Sequence, residues 1–100
     1  MQRPGGITPE THNADEKIQQ ICNKMKPDVQ KKSGKNFGTF VAISYKTQCV
    51  AGTNYFIKIH VGGNEYIHIC VYEKLPCYGG DIELTSIQHP KTHQDPIVFF

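Results

Sequence analysis

Cysteine and histidine are the residue types in this 100-residue chain that could perform nucleophilic catalysis, and it has four cysteines and five histidines. A catalytic Cys–His pair needs a thiolate beside a base, usually within a recognisable local signature. No such signature surrounds any of the cysteines, which are Cys22, Cys49, Cys70 and Cys77. A chain this short also leaves little room for a substrate cleft. We therefore expect no enzymatic activity.

A metal site is the second chemistry that these residues could perform. His68 and Cys70 share one face of a predicted strand, and His89 and His93 are four residues apart. A structural zinc ion needs four ligands that converge tetrahedrally, and no recognised spacing supplies them. We expect no metal and no other cofactor, and we expect His68 to lie on the outer face of a sheet together with His60.

The cysteines also indicate a cellular compartment. An even number of cysteines in a secreted protein suggests disulfides. Here Cys22 falls on a helical apolar stripe, Cys70 falls inside a predicted strand, and there is no Cys-x-x-Cys pair. No Asn-x-Ser/Thr acceptor is present, and the first residues have no apolar signal segment. We expect free thiols and a cytoplasmic protein.

Composition favours one ordinary globular domain over residues 1–100, with a core of modest size. Eleven Lys and Arg residues against nine Asp and Glu residues give a net charge of +2, which is too small to indicate binding to nucleic acid. The chain has no apolar run long enough to span a membrane. Residues 1–12 are rich in Pro, Gly and Thr, and we expect a flexible leader there.

One amphipathic helix is predicted after this leader. Asn13 with Glu16, or Asp15 alone, can cap its start. Pro27 lies inside it and predicts a kink rather than a break, since the apolar stripe continues beyond that position. The stripe has spacings of three and four, with Ala14, Ile18, Ile21, Cys22, Met25 and Val29.

The rest of the chain has the pattern of β-structure. Alternating apolar and polar residues, rich in β-branched and aromatic types, predict strands over residues 37–47, 54–61, 66–72 and 82–88. A tight reversal is expected at Gly62-Gly63-Asn64. Each strand has one apolar face, which an amphipathic helix can cover. This combination predicts an α+β fold in which an antiparallel sheet wraps around a single helix.

The segment Gln48-Cys49-Val50-Ala51-Gly52 lies between the first two predicted strands and carries no charge and no common turn pair. A hairpin tip that faces only water tends to use Gly, Asn, Asp or Pro. Two interpretations remain open: the apolar residues are tucked onto the edge of the sheet, or a partner covers them. Consecutive hairpins place residues 48–52 and 75–79 at the same end of the sheet, and a short N-terminal strand would bring the leader there.

Several motifs, in order and at matching distances, resemble the stefins, the type-1 cystatins. Pro4-Gly5-Gly6 looks like the N-terminal glycine motif of that family, and Lys26-Pro27 occurs at the same place in its helix. The segment 48–52 corresponds to the Gln-x-Val-x-Gly loop and is followed by Thr53-Asn54-Tyr55. Leu75-Pro76 stands where the family has its second loop. The resemblance covers nearly the whole chain and implies the cystatin-like fold: four long strands, a short N-terminal strand and one helix.

The resemblance also implies a function. Stefins are cytosolic, reversible, tight-binding inhibitors of papain-like cysteine proteases such as the cathepsins, and they are not enzymes. The leader and both loops form one wedge that blocks the active-site cleft, with Gly5 at the reactive site. The protease-binding residues implied for this chain are Pro4, Gly5, Gly6, Gln48, Cys49, Val50, Ala51, Gly52, Leu75 and Pro76. A monomer is expected. The alternatives are a non-inhibitory interaction module on the same fold, and a domain-swapped dimer in which residues 48–52 straighten.

Three residues depart from the family pattern. Cys49 stands where the family commonly has Val, and Cys77 and Tyr78 are not expected after Leu-Pro. The simpler interpretation of Cys49 is replacement by another small apolar side chain. The second interpretation is that an exposed thiol beside a protease's catalytic cysteine makes inhibition sensitive to oxidation.

Overall fold

One helix packs across a five-stranded antiparallel sheet in the computed structural model, which describes residues 10–98 and 100. Neighbouring strands in the sheet are hydrogen-bonded to one another in the order in which they occur along the chain. No helix in this part of the chain is both long and apolar enough to cross a lipid bilayer. The elements are β1 (His12–Asn13), α1 (Glu16–Ser33), β2 (Val41–Val50), β3 (Gly52–His60), β4 (Tyr66–Glu73), a 3-10 turn (Pro76–Tyr78) and β5 (Ile82–Lys91).

The helix α1 begins at the cap that its sequence favours. The Asp15 side chain accepts a hydrogen bond of 3.0 Å from the backbone amide of Ile18, which satisfies one of the free donors of the first turn. The helix continues through Pro27 and ends before Gly34, so the prediction that proline does not break it is confirmed. Most of the predicted apolar stripe is buried, namely Ile18, Ile21, Cys22, Met25 and Val29.

The predicted bounds of the first long strand were wrong at both ends. Phe37 and Phe40 are buried in the core, but they lie in the connection before β2, which begins at Val41. The backbone amide of Phe37 donates to the side-chain oxygen of Gln30 at 2.9 Å, so this segment is held by the helix rather than by a neighbouring strand. Aromatic side chains in this loop are buried in the core just as they would be in a strand. The sequence pattern therefore does not distinguish the loop from a strand.

The main core lies between α1 and the inner face of the sheet. Its strand residues alternate along β3 and β4, as the period-2 pattern predicts. The sheet wraps around the helix, so the α+β fold expected from the sequence is confirmed. The fully buried members of this core from the two central strands are Ile57, Ile59, Ile67, Ile69 and Val71.

The outer face of the sheet has a smaller core of its own, which the sequence analysis did not expect. Phe56 and Cys70 are buried there against Ile97, and the rings of Phe56 and Phe100 meet edge-on with centroids 5.6 Å apart. The backbone carbonyl of Ile97 also accepts a hydrogen bond of 3.1 Å from the Lys46 ammonium. The C-terminal segment therefore covers the middle of this face.

His68 lies on the outer face as predicted, but it is fully buried rather than exposed to solvent. It stands between Lys58 on β3 and Gln88 on β5 in the register of the sheet. In the described part of the chain, neither ring nitrogen of His68 has a hydrogen-bond partner. The side-chain oxygen of Gln88 has no hydrogen-bond partner there either. Burial, reinforced by the charges of Lys58 and Lys91, lowers the pKa of His68 to about 4.

Candidate functional site

The β2–β3 hairpin is tighter than the sequence suggested. Gln48 pairs with Asn54 and Val50 pairs with Gly52, so Ala51 is the one residue between the two strands. The five-residue loop expected over 48–52 is therefore mostly strand. The reason is that an uncharged segment containing a β-branched residue continues the ladder to the tip, where a single glycine reverses the chain.

The residues of this tip divide into exposed and buried ones. Cys49, Val50 and Ala51 are exposed, and Val50 is 44% exposed. Gln48 is buried, and its side-chain oxygen accepts a hydrogen bond of 3.0 Å from the side-chain amide of Asn54. The tip thus presents a small apolar surface, while its polar residues bond to each other across the strands.

Gly52 is required by the fold itself. Its φ of 121° is a conformation that residues with a side chain rarely adopt. A Cβ atom at this position would collide with the carbonyl oxygen of Glu73 and would lie 2.8 Å from the hydroxyl oxygen of Tyr72. The same hydroxyl donates a hydrogen bond to the carbonyl oxygen of Ala51. The tip is therefore closed against β4, with no room for a larger residue.

The second loop connects β4 to β5 and presents further apolar side chains. Leu75 is 37% exposed and Tyr78 is 72% exposed. The backbone amide of Tyr78 donates to the carbonyl of Leu75 at 2.8 Å, which forms the 3-10 turn that starts at Pro76. At the base of the loop, the amide of Lys74 donates to the carbonyl of Asp81 at 2.9 Å. The loop is short and held by its own backbone.

Both loops lie at the same end of the sheet. Thr53, the second residue of β3, stands directly opposite Glu73, the last residue of β4. The β2–β3 tip and the β4–β5 loop therefore emerge from adjacent strand ends, as the alternation of hairpins predicts. The expectation that the two apolar loops become neighbours is confirmed.

The first strand leads towards this end as well. His12 pairs with Tyr45 and Asn13 pairs with Ser44, so moving back along β1 follows β2 in the direction of its tip. Most of the predicted leader over 1–12 lies outside the described residues, although its last residue belongs to β1. Three of the predicted contact residues also lie outside them: Pro4, Gly5 and Gly6.

Polar groups below the two loops are paired with one another. The hydroxyl of Tyr55 donates to the carboxylate of Glu73 at 3.0 Å, and the Lys17 ammonium lies 3.9 Å from the same carboxylate. Burial raises the pKa of Tyr55, and the interaction with Tyr55 raises the pKa of Lys17. These contacts join the first turns of α1 to the end of β4. The exposed surface at the loop end of the sheet is therefore formed largely by the apolar side chains of the two loops.

The histidines and cysteines that the sequence offered as metal ligands do not come together in the described part of the chain. Within residues 10–98 and 100, no group of three or more His, Cys, Asp or Glu side chains could hold a metal ion. All four cysteines are free; Cys22 and Cys70 are buried, whereas Cys49 and Cys77 are exposed. Burial raises the pKa of Cys22 to about 12, so its thiolate is not available as a nucleophile.

Comparison with known proteins agrees with this architecture. Residues 5–94 match the model of the Cystatin domain. The chain belongs to the cystatin family. The resemblance to the stefins drawn from the sequence motifs is therefore confirmed, since relatives named cystatin A and cystatin B both match along nearly the whole chain.

Three relatives illustrate the range of sequence identity between this chain and other cystatins. Cystatin-B of Oplegnathus fasciatus is 53% identical over 96 residues, which cover 96% of this chain and 95% of the relative. Leukocyte cysteine proteinase inhibitor 1 of Sus scrofa is 46% identical over 96 residues, covering 96% and 92%. Cystatin-A of Homo sapiens is 41% identical over 97 residues, covering 97% and 98%.

Two features of the cystatin site were missed by reasoning from the sequence. Tyr72 holds the β2–β3 tip from the neighbouring strand, and only the strand register brings it there. Tyr78 was treated as a departure from the family pattern, yet it is more exposed than Leu75, the other large apolar residue of the second loop. An aromatic residue next to Leu75-Pro76 was the available signal. All of the predicted protease contacts stay predictions; Gln48 and Gly52 also have the structural roles described above.

Proposed function

We propose that this cystatin is a reversible, tight-binding inhibitor of papain-like cysteine proteases, the cathepsins among them, and that its leader and two loops together fill the active-site cleft. The observation that supports this most directly is the pair of exposed apolar loops at one end of the sheet. A relative that is 46% identical is named as a cysteine proteinase inhibitor. Like other members of the family, this protein inhibits proteases and is not an enzyme.

The apolar residues of the tips suit a cleft. Val50 and Leu75 are 44% and 37% exposed, and covering them removes apolar surface from water. The backbones that carry them are already held by strand pairing and by the 3-10 turn, so little conformational entropy is lost on binding. Two such tips and a leader have the scale of a protease–inhibitor contact, which buries about 800 Å² on each partner.

Such an inhibitor is not consumed because it blocks the nucleophile without offering a bond in attack geometry. Proximity catalysis depends on precise alignment of the reacting atoms, and a hairpin tip that enters from the side does not supply it. In this proposal Gly5 is the reactive site, with Pro4 and Gly6 beside it. Glycine lets backbone approach backbone closely in a narrow cleft, where a Cβ would collide.

Location and assembly form part of the same proposal. Free cysteines, two of them exposed, suit a reducing compartment such as the cytoplasm. The protein acts as a monomer, because a domain swap would make β2 and β3 continuous and remove the tip between them. Gel filtration after mild heating detects such a swap, and the swapped form is expected to lose inhibition.

Titration of papain with the full-length chain tests the proposed function. Val50→Asp places a charge on the tip and is expected to raise the inhibition constant at least tenfold, since a buried unpaired carboxylate is costly. Gly5→Arg is expected to weaken inhibition as well. Val41→Asp is the matched control: Val41 is 47% exposed at the opposite end of the same strand, and this variant should inhibit like the native chain.

A folded native chain that leaves papain fully active would contradict the proposal and favour a non-inhibitory interaction module on this fold. Equal weakening by Val50→Asp and Val41→Asp would contradict the assignment of the tip, although inhibition itself would stand.

A further inference from the structure

Four of the five tyrosines in this chain have partners within the fold. The hydroxyl of Tyr55 donates to Glu73, and the hydroxyl of Tyr72 donates to the carbonyl of Ala51. The ring of Tyr45 packs against those of His12 and Tyr55, with centroid distances of 5.4 and 6.3 Å. The ring of Tyr66 packs against His60 and His93, at 4.9 and 5.5 Å.

Tyr78 is the exception. Its side chain is 72% exposed, more than any other large apolar residue in the described chain. Within residues 10–98 and 100 no hydrogen bond or ring contact engages its ring or its hydroxyl. Among the described residues this side chain therefore makes no polar or ring contact, and an exposed tyrosine in an apolar loop is typical of an interface.

The backbone under Tyr78 is nevertheless well held. The amide of Tyr78 donates to the carbonyl of Leu75 at 2.8 Å, and the amide of Gly80 donates to the same carbonyl at 3.2 Å. The amide of Gly79 donates to the carbonyl of Pro76 at 3.0 Å, with a φ of 102° at Gly79 that turns the chain back immediately. The ring is therefore presented from a fixed turn, beside the exposed side chain of Leu75.

We propose that Tyr78 is a specificity-determining contact of the inhibitor, whose ring packs on an apolar surface at the rim of a papain-like cleft. This inference rests on the proposed function, and it extends the contact surface of the second loop beyond Leu75-Pro76. The reason is continuity: Tyr78 lies in the loop between β4 and β5, at the end of the sheet that also carries Val50 and Leu75, and all three residues are exposed. The hydroxyl remains at the wet edge of the contact, while the ring supplies the buried area.

Two physical arguments support a role in selectivity. Tyrosine is among the residue types that carry a disproportionate share of binding energy in interfaces, and a preformed turn lowers the entropy lost on binding. The rims of enzyme clefts are built from surface loops, which differ more among relatives than the elements they connect. A contact at the rim therefore contributes unequally to binding of different proteases of one class, whereas contacts around the nucleophile contribute alike.

Inhibition constants of the full-length native chain, Tyr78→Ala, Tyr78→Phe and Val41→Ala, measured on papain and two further papain-like proteases, test this inference. We expect Tyr78→Ala to weaken inhibition at least tenfold for one protease and by an unequal factor for the others. Tyr78→Phe keeps the ring and is expected to stay within about twofold of the native chain, given that the hydroxyl has no buried partner. Val41→Ala removes exposed apolar surface at the opposite end of the sheet and should change nothing.

The outcomes separate the inference from the proposed function. If the native chain inhibits and Tyr78→Ala matches it on all three proteases, Tyr78 makes no contact and the inference is overturned while the inhibitor remains. An equal loss on all three overturns the role in specificity. If the native chain inhibits none of them, the proposed function fails and the inference fails with it. Thermal unfolding of each variant checks that these exposed substitutions leave the fold intact.

Discussion

The hydroxyl of Tyr72 on β4 donates a hydrogen bond to the carbonyl oxygen of Ala51, the single residue between β2 and β3. The two residues are 21 positions apart in the chain. The bond connects the tip of one hairpin to a strand outside that hairpin. The shape of the apolar tip therefore depends on β4, the strand from which the second loop also begins.

Tyr72→Phe tests this connection. Loss of one hydrogen bond at a partly exposed position is expected to lower the free energy of unfolding by about 1 kcal/mol. The inhibition constant for papain should rise as well, because the tip is less well positioned. Urea unfolding and titration of papain measure the two effects. Tyr78→Phe also removes one hydroxyl, but one without a partner in the described chain, and it should leave stability unchanged.

Gly52→Ala is expected to destabilise the fold strongly. The substitution forces a side chain onto a backbone with a φ of 121° and drives its Cβ into the carbonyl of Glu73. Gly62→Ala is the control, since Gly62 has a φ of 116° and open space around it. Backbone strain of about 1–2 kcal/mol is common to both variants. In urea unfolding, the free energy of unfolding of Gly52→Ala should be lower than that of Gly62→Ala by at least about 1 kcal/mol. Equal losses of stability in the two variants would contradict the predicted collision.

Stability should fall as the pH drops through the range in which His68 titrates in the unfolded chain. Burial and the charges of Lys58 and Lys91, opposed by Asp95, lower the pKa of His68 in the folded protein to about 4 from an ordinary value of 6.5. The unfolded chain therefore takes up its proton first. The free energy of unfolding is therefore highest above about pH 6.5, falls between about pH 6.5 and 4, and levels off at lower pH. The total loss that His68 causes is up to about 3 kcal/mol.

The variant His68→Leu removes this titration and fills the same buried site with an apolar side chain. Urea unfolding at a series of pH values between 4 and 7 should show a shallower decline for His68→Leu than for the native chain. Carboxylates titrate in both proteins and cancel in the comparison. Parallel declines would mean that His68 accepts its proton in the folded state without penalty.

The C-terminal segment is expected to contribute to stability through the buried side chain of Ile97. Ile97 is 4% exposed and packs in the outer core, so Ile97→Ala should cost about 2–4 kcal/mol. Val98, the next residue, is 44% exposed, and Val98→Ala should remain within about 0.5 kcal/mol of the native chain. Similar unfolding midpoints for the two variants would mean that the segment does not pack on the sheet in solution.

Cys49 is exposed at the tip and supplies a test of redox sensitivity. Oxidation of its thiol adds polar bulk to a surface that would otherwise be buried against the protease. Cys77 is exposed as well, so Cys77→Ser is the background for this test. We expect mild oxidation to weaken inhibition of papain by Cys77→Ser and to leave the double variant Cys49→Val/Cys77→Ser unaffected, after excess oxidant is removed. Buried Cys22 and Cys70 should resist the same treatment. If both proteins behave alike, Cys49 is a replacement for valine without a redox role.

The sequence alone determined the features that depend on local patterns. Period-2 alternation and a stripe spaced by three and four predict that the strands and the helix exist and on which faces they meet, although not the bounds of β2. Short motifs in a matching order identified the family. The end of the sheet at which the loops gather also followed from the sequence, because consecutive antiparallel hairpins leave little choice.

Only the tertiary structure decided which residues of the tip are available to a partner. Whether Gln48 faces solvent or bonds to Asn54, and whether Gly52 has room for a Cβ, depends on the register with β3 and β4. The neighbours of buried His68, which are Lys58 and Gln88, are set in the same way by the register of β4 with β3 and β5. Such contacts join residues distant in sequence, so no local pattern encodes them; they arise from the packing of elements already formed.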